Sequence, residues 1–181
     1  MKTILAGFLL MLLSHEVVAQ IYVSRKAIFT FFSEAPLENI EAKSDQGVSA
    51  LNTNTGEVYF KVRIRSFQFR KGLMQEHFNE NYMESDKYPY AEFKGNIKET
   101  FDYKKMGVYP IMINGVLNIH NVSKEYTVKA TLEIKDGVIV GQSVFNVRVA
   151  DHKIKIPRLV FKNIAEVVEV RAFVEYETKN K

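Results

Sequence analysis

The sequence predicts an all-β protein, an eight-stranded antiparallel barrel with a short helical insert between its third and fourth strands. Three observations carry this. Apolar and polar residues alternate at every second position in segment after segment, the period of a strand with one buried face. Turn chemistry such as Ala35-Pro36, Asn54-Thr55-Gly56 and Lys135-Asp136-Gly137 separates the segments where an α/β protein would place helices. The alternation breaks off once, between Gly72 and Gly95.

A leader precedes the first strand. Lys2 is a short basic start, Ile4 to Leu13 an apolar run, and Val17-Val18-Ala19 a small-residue cleavage pattern. The expectation is a signal peptide over 1–19 cut after Ala19, one domain over 20–181, and a periplasmic or secreted bacterial location. The apolar run is too short to span a bilayer, and no later stretch approaches the roughly 18 to 20 apolar residues that a transmembrane helix needs. With 181 residues and no Cys, the chain has no thiol chemistry and is large enough to fold without disulfides. Its formal charge of +4 favours an anionic partner only weakly.

The first two strands are expected at Tyr22 to Phe32 and Leu37 to Leu51. The third is the clearest, with Val58, Phe60, Val62 and Ile64 alternating against Tyr59, Lys61, Arg63 and Arg65. Its apolar parity then flips to Phe67 and Phe69, which a regular pleat cannot bury on one side, so a β-bulge is expected near Arg65-Ser66. The fourth strand carries Ala91, Phe93, Gly95 and Ile97, and the fifth spans Val108 to Ile119. The sixth carries Tyr126, Val128, Ala130, Leu132 and Ile134, the seventh spans Val138 to Val149 and the eighth Ala165 to Glu177. Asp136-Gly137 suits the positive φ angles of a tight primed turn, so the sixth and seventh strands should pair directly. Antiparallel strands in series hide their edges by closing into a barrel or by splitting into a sandwich, and strands this long favour the barrel.

Where alternation stops, the spacing becomes helical. Leu73, His77 and Asn81 fall on one row and Met74, Phe78 and Tyr82 on the next, while Gln75, Glu76, Asn79 and Glu80 fall on other faces. Leu73 to Tyr82 therefore reads as an amphipathic helix that packs on the barrel and caps one end. Tyr88-Pro89 restarts the extended chain. A barrel of eight strands is either filled by its own side chains or wide enough for one small ligand.

Two blocks resemble the YceI-like family. The first is Ser66, Met74-Gln75-Glu76-His77-Phe78, Tyr82-Met83-Glu84, Lys87-Tyr88-Pro89 and Phe93. The second, Gly115-Val116-Leu117-Asn118-Ile119-His120-Asn121-Val122-Ser123-Lys124, is similar to the family's Gly-x-Leu-Thr-Ile-His-Gly-Val-Thr-Lys. Met74 and Gln75 stand where the family commonly has Arg-Asp, and Asn121 where Gly is usual. The resemblance covers nearly the whole chain after the leader. It implies a lipocalin-like barrel, exported, whose apolar lumen in some members holds a long polyisoprenoid chain.

On that basis the candidate ligand-binding residues, in lumen and mouth, are Phe60, Leu73, Met74, His77, Phe78, Asn81, Tyr82, Phe93, His120 and Phe145. Phe29, Val147 and Val170 are further core or lumen positions. For His77 the plainer reading is a hydrogen bond to a neighbouring strand, and for His120 a turn histidine serving nearby backbone. Glu76, His77 and Glu80, with His120 or His152 brought near by folding, are the candidates for a metal site, but none is expected: there is no His-Glu-x-x-His and no Cys ligand, and Glu76 and Glu80 point away from the face of His77. No catalytic residue and no cofactor are expected, since neither a Gly-x-Ser-x-Gly elbow nor a phosphate-cradling Gly loop occurs. Tyr59, Lys61, Arg63 and Arg65 could form a nucleic-acid platform in a cytoplasmic protein; with a leader present they read as a solvated outer face, and no nucleic-acid partner is expected. The functional expectation is an exported protein that carries or sequesters a polyisoprenoid or other apolar lipid. The rivals are an enzyme acting on such a lipid and a ligand-free structural or stress-response barrel.

Overall fold

The alternating segments become strands because only that backbone puts every second side chain on one face. A computed structural model describes residues 20–34, 38–156 and 165–177. In it lie β1 (Ile21–Ser33), β2 (Ile40–Asn52), β3 (Glu57–Arg63), β4 (Gln68–Phe69), β5 (Tyr90–Ile97), β6 (Gly107–Ile119), β7 (Val122–Lys135), β8 (Val138–Arg148) and β9 (Val167–Glu177). The strands are antiparallel in the order β1-β9-β8-β7-β6-β5-β3-β2, and β1 also pairs with β2, which closes the eight long strands into a barrel. The two-residue β4 extends the wall by pairing with β2. The leader and the strand start expected at Leu37 lie outside the described residues.

At the parity flip the chain leaves the ladder. Ile64–Ser66 forms one turn of 3-10 helix, before which Val48 faces Lys61 and after which Lys43 faces Gln68. Ile64 and Phe67 are both buried, as the odd spacing required, but the device is an inserted helical turn rather than one extra residue in a continuous strand. The Ser44 hydroxyl lies 2.6 Å from Ser66 Oγ, which donates to the Arg63 carbonyl, so the turn carries its own polar partners inside the wall.

The hairpin turns divide differently from expectation. β7 and β8 do pair across Asp136-Gly137, with Lys135 opposite Val138. Only Gly137 takes a positive φ, +78°, so a turn needing the left-handed region at both positions is not what forms. The turn with both central residues left-handed is His120-Asn121 between β6 and β7, at φ +53° and +57°. Asn is the side chain other than Gly that accepts this region best, which accounts for Asn121 at a position where the family usually has Gly.

The core fills the barrel end bearing the β2–β3, β5–β6 and β7–β8 connections. Leu51, Val58, Ile97, Ile113, Ile139 and Tyr176 are buried there, and Phe101 of the β5–β6 connection stacks on Tyr103 and Tyr109 at 4.4 and 4.8 Å against them. That end is a floor. The opposite end receives the helical insert.

Candidate functional site

Inward-facing positions above the floor do not fill the barrel. They leave a cavity of about 690 Å³, bounded below by Ile111, Leu132 and Tyr176 and walled by Phe29, Phe60 and Phe93 among others. This lies within the range of roughly 300 to 1,000 Å³ typical of small-molecule sites. Room is made partly by glycine. Gly95 and Gly115 face each other across β5 and β6, and the Phe93 ring lies over the pair so closely that a Cβ on Gly115 would sit 2.5 Å from Phe93 Cζ and 2.4 Å from the Lys94 carbonyl oxygen.

The insert forms α1 (Gly72–His77) and runs on as a π-helical turn over Phe78–Tyr82, with the Met83 amide donating to the Phe78 carbonyl five residues back. The wider turn shifts the phase of the packed stripe. Met74, Phe78, Tyr82 and Met83 line the cavity, and Phe78 joins a ring cluster with Phe31, Phe67 and Phe69 at centroid distances of 5.2, 6.0 and 4.9 Å. The same shift corrects two sequence expectations. Asn79, expected on a wet face, is buried, donating to the Gln75 carbonyl at 2.8 Å and accepting from Ser85 Oγ at 2.9 Å. Asn81, expected on the packed face and named as a ligand residue, is exposed and does not line the cavity.

Of the residues singled out in the sequence, Phe60, Leu73, Met74, His77, Phe78, Tyr82, Phe93 and Phe145 line the cavity. Leu73 is 63% exposed although it lines the space, so the cavity meets solvent at the helical end. His120 does not reach it. Its Nε2 lies 2.8 Å from Glu84 Oε2 and its ring 4.2 Å from that of Tyr88, so it ties the β6–β7 turn to the segment following the insert. The left-handed turn aims it at Glu84 and Tyr88 instead of the lumen, which a linear motif does not disclose. Phe29, Val147 and Val170 also line the space, as do Ile154, Ile156 and Val168, which sequence reading did not single out.

Two buried polar groups of the barrel have partners of their own. The Tyr176 hydroxyl bonds to Ser49 at the floor, and burial pushes the phenol up to about 12, so it stays protonated at neutral pH. His152 is fully buried; its Nδ1 lies 3.0 Å from the Val122 carbonyl and its Nε2 3.1 Å from the Tyr126 hydroxyl. Burial holds its imidazole below the usual histidine range, against the backbone hydrogen bonds that favour the charged form. The neutral ring then donates from Nδ1 and accepts the tyrosine proton at Nε2. Among the described residues no group of three His, Asp or Glu side chains gathers at metal-binding distance. On the outer face Lys61 lies 2.9 Å from Glu92 and over the Tyr90 ring at 4.0 Å, and Arg65 lies 2.6 Å from Asp86. The hydrogen bond from Lys61, joined by that from Tyr59, holds the Glu92 carboxyl below the usual range. The cationic stripe is thus partly neutralised by its neighbours.

A family model of the YceI-like domain matches residues 26–176. No curated protein matches the chain in sequence. Among solved structures, the barrel is similar to a polyisoprenoid binding domain from Saccharophagus degradans implicated in plant cell wall breakdown, with TM-score 0.74 and 13% identity over 90% of this chain and 100% of that one. It is similar to BcnA of Burkholderia cenocepacia, with TM-score 0.71 and 13% identity over 83% and 96% of the two chains. A YceI protein of Campylobacter jejuni gives TM-score 0.57 and 14% identity over 99% of this chain and 100% of that one. At such identities the likeness is one of fold.

Proposed function

Because the chain belongs to the YceI-like family, we propose that it is an exported protein that holds one apolar chain, a polyisoprenoid or similar lipid, in its barrel and carries or sequesters it. The observation that carries this reading is the cavity of about 690 Å³, apolar nearly throughout, closed at the floor and reaching solvent beside Leu73 and His77. Each methylene taken from water into such a space contributes about 0.8 kcal/mol, so affinity grows with the length of chain enclosed. A head group would rest at the helical end, where Glu38, Lys71 and His77 line the rim and Lys71 Nζ lies 2.6 Å from Glu38 Oε2.

The reading includes no catalysis. The titratable group set deepest in the lumen is Tyr176, which burial keeps protonated and which already bonds to Ser49. A general base needs the opposite tuning. The fold offers burial and orientation, which is what a carrier requires.

Native mass spectrometry of the protein exported from its own host, followed by organic extraction, tests the reading. The expected result is a mature chain beginning at Gln20 with a co-purifying apolar adduct. Apo protein in every preparation would overturn the carrier function, and an exported form retaining Met1 to Ala19 would overturn the processing.

A further inference from the structure

Two ladders of the wall run nearly the full length of their strands. β6 and β7 pair from Gly107 opposite Ile134 to Ile119 opposite Val122, and β8 and β9 from Val138 opposite Glu177 to Arg148 opposite Val167. Between β7 and β8 the ladder starts at Lys135 opposite Val138 and stops at Ala130 opposite Ser143. β7 nevertheless extends back to Val122 and β8 on to Arg148. Over those stretches the two strands part, and side chains close the gap instead of backbone hydrogen bonds. At its lower corner Ser143 Oγ donates to the Lys129 carbonyl at 2.8 Å. Above, the Tyr126 ring meets Phe145 edge to face at 6.2 Å, and His152, stacked on Tyr126, fixes that ring from behind.

A groove of about 570 Å³ lies beside this seam, lined by Glu99, Pro110, Met112, Lys129 and Val144, with Glu99 Oε2 accepting from the Met112 amide at 2.8 Å. It shares Ile111, Ala130, Thr131, Gln142 and Ser143 with the lumen. The lumen and the groove therefore lie on the two sides of the same stretch of wall, at the last paired residues before β7 and β8 part. Toward the floor a long chain meets Leu51, Ile139 and Tyr176, all almost fully buried.

We propose that the seam between β7 and β8 is a side portal, through which the distal part of an apolar chain too long for the lumen passes into the groove over Met112 and Val144. Tyr126 and Phe145 are the movable door. Opening it parts one edge-to-face ring contact and leaves the flanking ladders intact, while the helical end, already open beside Leu73 and His77, is left to the head group. The chemistry selected is a single unbranched or prenyl chain, because a rigid ring system would not follow the bend at Ser143. This proposal rests on the reading that the lumen holds an apolar chain, and deepens it to a preference for length.

The test compares two prenyl alcohols of one chemistry, farnesol, which is short, and solanesol, which is long, both delivered from cyclodextrin. Val144 is 57% exposed, so Val144→Asp leaves the core alone and adds a second carboxylate to the groove, beyond Glu99, which is tied to the Met112 amide. It should weaken solanesol binding by about tenfold or more, since an apolar chain would have to desolvate the charge, and leave farnesol binding within about twofold. The chain has no Cys, so a Thr127→Cys/Asn146→Cys pair joined by a short bismaleimide closes the seam independently and should show the same selective loss. Equal effects on both alcohols, or none on solanesol, would overturn the portal. An unmodified protein that binds farnesol and rejects solanesol would overturn the portal while sparing the lumen reading, and one that binds neither would overturn both.

Discussion

The two ends of the barrel use the same material and do opposite things with it. At the floor, Phe101, Tyr103 and Tyr109 pack on side chains that are already buried, such as Leu51, Ile139 and Tyr176. At the helical end, Phe31, Phe69 and Phe78 make an equally dense ring cluster, yet each remains half-buried because part of its surface faces the cavity. Aromatic content alone therefore does not separate core from binding wall. What separates them is where the uncovered part of a ring points: Phe101, Tyr103 and Tyr109 are half-buried too but do not line the cavity, whereas Phe31, Phe69 and Phe78 do. A ring that lines the cavity has apolar surface left for a ligand to cover, and that surface is the source of affinity in the proposed reading.

The contrast is open to direct attack. The largest loss is expected at the floor: Leu51, which bounds the cavity from below yet is almost fully buried, should on change to Ala cost about 2 to 5 kcal/mol of unfolding free energy, measured by urea denaturation. A floor variant costing no more than a surface change would erase the distinction. Next is the glycine pair, where Gly115→Ala pushes a Cβ into Phe93 and the Lys94 carbonyl and should cost about 1 to 3 kcal/mol through overpacking. Because Phe93 lines the lumen, the same variant should also reduce the uptake of a fluorescent fatty acid. Phe78→Ala should lower the melting temperature less than Leu51→Ala and should speed release of a bound apolar chain, read by stopped flow; a melting loss equal to that at the floor with release unchanged would make Phe78 plain core.

A smaller effect is expected from His152. Burial lowers its pKa in the folded state, so below the ordinary histidine value the unfolded chain binds more protons than the folded one. Its contribution is fully present above about pH 6.5, the unperturbed histidine pKa, and is lost as the pH falls from there toward the folded value. Lys124 and Tyr126 of β7 and Asp151 of its own turn face the ring, Asp151 favouring protonation and Lys124 opposing it. Urea midpoints measured from neutral to mildly acid pH should decline in the wild type and decline less in His152→Gln. The smallest effect belongs to Glu84→Gln, which weakens a partly exposed pair with His120 and should cost about 0.2 to 1 kcal/mol, checked by the same denaturation; a larger loss would make that pair a main anchor of the insert.

Much of the wall was legible because strand alternation is local information. Val58, Phe60 and Val62 declare their face without reference to anything distant, and the flip at Phe67 declared that the ladder must break. The kind of break was not legible, since a bulge and a 3-10 turn both reverse parity. The insert was legible as a helix, but its phase was not: the π turn at Phe78–Tyr82 exchanges the positions of Asn79 and Asn81, and nothing in an α-helical wheel signals that change. His120 was conspicuous as a motif residue and lies away from the cavity, because the left-handed φ angles of a two-residue turn decide its direction.

By itself, the sequence determined the strand count, the inward faces, the place of the insert and the resemblance that names the family, since each rests on spacing along the chain. Only the tertiary structure decided that the barrel is closed at one end and hollow above it, that glycines from β5 and β6 meet beneath Phe93, and that β7 parts from β8 beside Tyr126 and His152. Those features depend on which residues from distant strands face one another and on how much volume they leave between them. Local periodicity fixes the direction of a side chain and is silent about what stands opposite it.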